Sequence, residues 1–145
     1  MINELAAAFC LGTRAVEEDA IFVGSLLNSV GVAYRLEEGL MDAVTGLSGS
    51  GPAYVYYFIK AMVAGGVKAG LPEDVALSLS VQTVRGAVDM VISTKRSPDE
   101  LIDEVRSPRG TTVEGLRVLD ERKVHRAVAD AVVAAARRSK ELGRP

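Results

Sequence analysis

Two short stretches bring hydroxyls, glycines and prolines together at the spacing of a helix start. In Ser107-Pro108-Arg109-Gly110-Thr111-Thr112, three hydroxyls and several backbone amides meet where a helix is expected to open. Such a corner can hold a carboxylate or phosphate. Amides without a helical acceptor and the positive end of the helix dipole both attract an anion, and a hydroxyl adds one directed hydrogen bond. The reading without chemistry is ordinary capping of that helix by Ser or Thr.

The second stretch, Thr45 to Tyr54, alternates Gly46, Gly49 and Gly51 with small residues ahead of Pro52. Its pattern predicts a tight bend feeding a helix from about Pro52, with bare amides facing whatever lies across the bend. The plain alternative is a close helix-packing bend with no ligand. It is not a dinucleotide fingerprint. Tyr54 stands where the third glycine or alanine belongs, and Leu40-Met41-Asp42-Ala43-Val44 is not a bounded buried strand.

Other reactive residue types point to less. His125, the single histidine, sits among Arg122, Lys123 and Arg126 with no indicated acidic or nucleophilic partner, so it reads as solvent-facing. Asp99, Glu100, Asp103 and Glu104 follow a helix-start and surface pattern, and no metal site is expected from them. Tyr54, Tyr56 and Tyr57 begin a helix, and core packing is expected of at least two of them. Cys10 stands alone, which excludes a disulfide or a thiol metal site within one chain; it reads as a small apolar filler in a reducing, cytoplasmic setting.

The elements that carry these residues fall into two textures. Residues 1–13 are ambiguous: Asn3-Glu4 could cap a short helix, while Ala8-Phe9-Cys10-Leu11 could be a buried strand. From Glu17, apolar residues at Ala20, Ile21, Val23, Leu26, Leu27 and Val30 predict a helix closed by Gly31. Val32–Leu36 is a strand candidate. This is part of an α/β unit with too few strands for a sheet.

After Gly39 helices are expected throughout. One carries Val55, Phe58, Ile59, Met62 and Val63 on one side, Gly65-Gly66 lets another backbone approach, and Gly70 stops it. Leu71-Pro72-Glu73-Asp74 restarts a helix whose stripe is Leu77, Val81, Val84, Val88 and Val91, with Val75 and Leu79 off the stripe. A helix greasy on more than one side needs cover on more than one side, and in so short a chain a second copy is the expected cover. Ser97-Pro98-Asp99-Glu100 is a capping box. A short helix with Val113, Leu116 and Leu119 follows the Ser107 corner, and a last helix from about Lys123 is expected to bury Val124, Ala127, Val128, Ala131, Val132 and Ala135.

At 145 residues, 48% hydrophobic and 25% charged, with a net charge of −2, the chain is ordinary for one globular domain or a domain plus a fragment. Interspersed charge advertises no nucleic-acid or membrane surface, and neither a leader nor an apolar run of about 18 residues is read.

Taken together the motifs resemble pyrroline-5-carboxylate reductases. The matching runs are Asp42 through Tyr54, Gly65-Gly66-Val67, Gly70-Leu71-Pro72, Ser107-Pro108 with Gly110-Thr111-Thr112, and Asp130-Ala131-Val132. The resemblance is continuous from about residue 12 to residue 142. It implies a mainly α chain: residues 1–39 as the end of a Rossmann-type domain, and residues 40–145 as an interlocked helical dimerisation and substrate-binding domain. It also implies a homodimer, further association of dimers into rings, and hydride transfer from NADPH or NADH to the imine of pyrroline-5-carboxylate. On this resemblance Ser107, Gly110, Thr111 and Thr112 surround the substrate, with Thr112 as the catalytic residue meeting the ring nitrogen. The two glycine- and hydroxyl-rich corners would meet across paired protomers.

Two departures from the family pattern matter. No Gly-x-Gly-x-x-Gly follows an opening strand, so no cofactor-binding residue is assigned, no tight cofactor binding is expected, and the chain alone is expected to be inactive. The family has glycine where Arg109 stands. Either Arg109 is strained at a positive φ, or its guanidinium reinforces carboxylate binding. The rival readings are a non-catalytic interaction module derived from the enzyme, and a helical-domain dehydrogenase acting on β-hydroxyacids through a lysine.

Overall fold

In the computed structural model, which describes residues 4–143, the ambiguous opening segment is a strand, β1 (Leu5–Phe9). Asn3 of the alternative helix cap lies outside the described residues. A helix, α1 (Glu17–Asn28), connects β1 to β2 (Gly31–Arg35), and the strands pair in parallel with Leu5 opposite Gly31 and Phe9 opposite Arg35. The expectation of too few strands for a sheet is therefore corrected: the two strands form one, and α1 covers it, with Gly24 against the Phe9 ring.

Gly31 is also reassigned. The C-cap of α1 is Ser29, and Gly31 opens β2 instead. A Cβ there would lie 2.2 Å from the carbonyl oxygen of Leu5, so the register at this end requires glycine. Asn28 performs the closure that Gly31 was expected to give. Its Nδ2 donates to the Gly24 carbonyl at 2.8 Å, and its Oδ1 accepts from the Ala33 amide at 2.9 Å, joining the helix end to β2. Arg35 then reaches Glu17 through two contacts of 2.6 and 2.7 Å.

The described chain divides into two compact units. One joins the segment ending at Pro52 to the segment beginning at Val128, and the other is Ala53–Ala127. In the first, a single 3-10 turn (Glu38–Leu40) leads to α2 (Met41–Val44) and a π-helical turn (Thr45–Gly49). The expected bend with bare amides is not there. Backbone angles stay right-handed helical through Val44, Thr45 and Ser50, and the Ser50 amide donates to the Thr45 carbonyl five residues back at 2.9 Å. The chain widens by one residue per turn and continues into α3 (Gly51–Lys68), while Pro52, which has no N–H, interrupts the ladder.

Gly46 shows what the small residues are for. A Cβ on it would sit 2.6 Å from the Val132 carbonyl oxygen and 2.8 Å from the Ala136 amide nitrogen of α7 (Val124–Leu142). Ser139 of α7 donates to Asp42 Oδ1 at 2.7 Å, holding the same two elements together. Gly46 is thus a packing device, whereas Gly49 meets only Thr45 Cγ2 and Gly51 faces open space.

In the second unit α3 turns at Gly70, whose φ is 105°, into α4 (Glu73–Thr94). Gly66 allows the approach foreseen for it, its missing Cβ lying 3.1 Å from the Cβ of Ala76, whereas Gly65 faces open space. After Lys95, left-handed at φ 55°, comes α5 (Pro98–Val105), then α6 (Thr111–Glu121).

The capping box of α5 is formed as expected. The Glu100 amide donates to Ser97 Oγ at 3.3 Å and the Ser97 amide to Glu100 Oε2 at 2.8 Å. The Ser97 hydroxyl also donates to Glu100 Oε2 at 2.8 Å, and these bonds to the carboxylate, first from the Ser97 backbone and then from its hydroxyl, hold the Glu100 carboxyl below its ordinary range. A lowered folded pKa gives stability above the unfolded value that is lost as pH falls through the folded one. The melting midpoint of the wild type should therefore exceed that of Glu100→Gln at neutral pH, and the two should converge in acid.

Several side chains expected in a core are not covered. Tyr56 and Tyr57 are 69% and 76% exposed, and only Tyr54 of the three is half-buried. In α7, Ala127 and Val128 are exposed and no residue is fully buried. His125 is exposed.

Candidate functional site

The Ser107 corner is a hydrogen-bonded turn that opens α6. The Gly110 amide donates to the Ser107 carbonyl at 2.9 Å, with Pro108 second and Arg109 third at φ 61°. Proline second and a positive φ third are the marks of a type II turn, where the third place favours glycine. Of the two expectations for Arg109, strain is the one the backbone meets. Arg109→Gly should raise stability by about 1 kcal/mol, read as a higher urea midpoint. A lower midpoint would show that the arginine side chain holds the turn.

Gly110 is the N-cap of α6 and has no side chain to cap with. Its missing Cβ makes room for Ser107, because a Cβ would come within 2.2 Å of Ser107 Oγ and 3.0 Å of its carbonyl oxygen. No hydrogen bond from the hydroxyls of Ser107, Thr111 or Thr112 forms among the described residues. Ordinary Ser/Thr capping is thereby overturned at this helix, and α5 supplies the contrast, since there Ser97 caps.

What results is a concentrated donor set. The first amides of a helix have no acceptor within it, so Thr111, Thr112 and Val113 present N–H groups at the positive end of the dipole. Three unengaged hydroxyls surround them. Ser107 and Thr111 are exposed, while Thr112 and Val113 are half-buried.

Ser107, Gly110, Thr111 and Thr112, the residues singled out in the sequence, lie together within this one turn. Gly110 contributes space rather than a donor, since its amide is engaged by Ser107. Val113 was missed, and its signal was available: once Gly110 is the cap, the third amide of the helix belongs to residue 113. Among the described residues no group of three or more His, Cys, Asp or Glu side chains converges on a metal-sized point.

Known proteins resemble this chain in sequence and fold. Residues 38–142 match the family model described as pyrroline-5-carboxylate reductase dimerisation. The chain is 48% identical over 141 residues to the pyrroline-5-carboxylate reductase of Glycine max, covering 97% of this chain and 52% of that protein. The Arabidopsis thaliana enzyme of the same name is 49% identical over the same length, with 51% of it covered. Among solved structures, a Plasmodium falciparum pyrroline carboxylate reductase with NADP bound superposes with a TM-score of 0.90 at 35% identity, over 99% of this chain and 55% of that one. A pyrroline-5-carboxylate reductase from Coxiella burnetii gives 0.89 at 30% identity, over 96% and 52%. The chain spans about half the length of the curated relatives it matches. With more than two-thirds of its residues inside one family model and nearly all of them aligned to its members, this chain belongs to the pyrroline-5-carboxylate reductase family, in the part that carries the dimerisation domain.

Proposed function

We propose that this chain is the dimerisation and substrate-binding half of a pyrroline-5-carboxylate reductase, which reduces the C=N bond of 1-pyrroline-5-carboxylate to proline with NADPH or NADH. The observation that carries this reading is the uncapped start of α6, with three hydroxyls left unengaged around it, in a chain of this family. The substrate is a small ring bearing one carboxylate and one imine nitrogen. Amides of Thr111, Thr112 and Val113 with the Ser107 hydroxyl take the carboxylate, in hydrogen bonds strengthened by its charge. Gly110 leaves the space for it. The Thr112 hydroxyl hydrogen-bonds the ring nitrogen, so that the ring is fixed at both ends and one face of the C=N bond is presented.

The described residues do not fit a dinucleotide. Between β1 and α1, the stretch Cys10-Leu11-Gly12-Thr13-Arg14 offers one glycine where a pyrophosphate turn uses several, and two strands stand where a mononucleotide-binding half has three. We place the cofactor site outside these residues. The boundary between the α/β remnant and the helical domain is placed at residues 39–40, supported by a family match that begins at residue 38.

The partner in this reading is a second copy, with dimers joining further into rings, in the cytoplasm. By length and composition α4 is also apolar enough to cross a membrane. Arg85 and Asp89, 3.8 Å apart in its second half, are poorly suited to hydrocarbon, and the dimerisation family favours a protein cover. Two measurements test the proposal. Sedimentation should give twice the 15.3 kDa chain mass. An assay of the chain alone with NADPH and pyrroline-5-carboxylate should show no turnover, and steady proline formation would overturn the placement of the cofactor.

A further inference from the structure

Among the described residues, three other than glycine have a positive φ: Lys95, Arg109 and Lys123. Two of them close helices. The Lys95 amide donates to the Val91 carbonyl at 3.1 Å at the end of α4, and the Lys123 amide to the Asp120 carbonyl at 2.9 Å just past α6. A left-handed residue suits a helix C-terminus, and so does a cation, because the dipole is negative there. Arg109 carries the same backbone and charge at the opposite end. It immediately precedes Gly110, the N-cap of α6, where the dipole is positive and disfavours a cation.

The Arg109 charge is also unmatched. The residue is exposed, and its guanidinium has no ion pair or hydrogen bond among the described residues. Neighbouring charges are engaged elsewhere: Arg106 lies 3.3 Å from Asp103, and Glu114, in the first turn of α6, lies 3.0 Å from Arg117. Backbone strain, an unfavourable dipole and an unpaired charge thus meet in one residue. An anion seated on the α6 amides would reverse the last two, since it gives the cation a partner and neutralises the helix start.

We infer that Arg109 sets the specificity of the α6 site, its guanidinium selecting a ring that carries a carboxylate over the same ring without charge. This rests on the carboxylate reading of that site and goes beyond it. The family pattern has glycine at this place, and backbone amides by themselves also donate to an uncharged carbonyl. Two Cα steps of about 3.8 Å separate Arg109 from Thr111, a span that an arginine stem can cover.

Amide NMR of the 145-residue chain tests the inference with two probes of one shape, cyclopentanecarboxylate and the uncharged cyclopentanecarboxamide. At about 10 mM salt the carboxylate should bind the amides of Thr111, Thr112 and Val113 about fivefold more weakly in Arg109→Gly than in the wild type. At about 1 M salt, where the screening length falls to about 3 Å, the two proteins should bind it alike. The carboxamide should not distinguish them at either salt, and Arg109→Lys, which keeps the charge, should stay near the wild type. Equal carboxylate affinities at low salt would overturn the inference and leave the carboxylate reading standing. So would a loss shared by the carboxamide, which would assign Arg109 to the shape of the turn, or a lysine variant as weak as the glycine one. A wild-type chain whose three amides ignore the carboxylate would overturn both.

Discussion

Thr112→Ala, introduced in a reductase that also carries its cofactor-binding part, is expected to lower kcat/KM for pyrroline-5-carboxylate by about a hundredfold. The amides proposed to hold the carboxylate belong to the backbone and survive the change, so the loss should fall mainly on kcat. In the proposed site, what disappears is the one directed hydrogen bond to the ring nitrogen, and with it the fixed presentation of the imine. Thr112→Ser keeps that hydroxyl and should recover most of the rate. Steady-state kinetics of the three proteins decides the matter. Unchanged activity in the alanine variant would remove Thr112 from the chemistry, and equal losses for Ala and Ser would assign the residue to packing by its methyl group.

Gly46→Val is expected to destabilise the protein by about 3 kcal/mol. The atoms in the way are backbone: the Val132 carbonyl oxygen and the Ala136 amide nitrogen lie at 2.6 and 2.8 Å from the position of a Cβ. Neither can swing aside as a side-chain end would, so α7 must move and its Ser139–Asp42 hydrogen bond must lengthen. Gly49→Ala is the control in the same turn. Its Cβ would meet only Thr45 Cγ2, at 3.7 Å, in ordinary contact. Exchanging glycine for alanine at a helical site without a clash stabilises by about 0.5–1 kcal/mol. Urea denaturation of the pair reads both signs. A tolerated Gly46→Val would mean that the π-turn and α7 are not packed as described.

The contrast between those two glycines shows what the sequence could and could not convey. The run from Thr45 to Tyr54 announced an unusual backbone, but a string of glycines does not say whether it makes a ligand corner or admits a neighbouring helix. That depended on Val132 and Ala136, more than eighty residues away. Gly31 failed in the same manner, since its need for no side chain comes from Leu5 across a strand pair rather than from the helix before it. Signals contained within one helical turn were read correctly. Ser97 with Glu100 formed its box and α3 ended just ahead of Gly70, although Pro72, expected inside the first turn of α4, stands one residue before it as the N-cap.

At the Ser107 corner, residue types located the donors, while the cap position, Gly110, made Val113 the third of them. Burial was the least legible property. Periodicity marks the face a helix covers and not the chain that covers it, so Tyr56, Tyr57 and Val128 read as core yet stand exposed here.

The central claim is that the first amides of α6 receive the carboxylate of a small cyclic amino acid, and amide NMR tests it most directly. The protein would be titrated with proline and, in parallel, with pyrrolidine, the same ring without the carboxylate. The account predicts shifts at the amides of Thr111, Thr112 and Val113 with proline and none there with pyrrolidine, while the Glu100 amide, already bonded to Ser97, stays in place. Proline binding that leaves those three amides unmoved would contradict it.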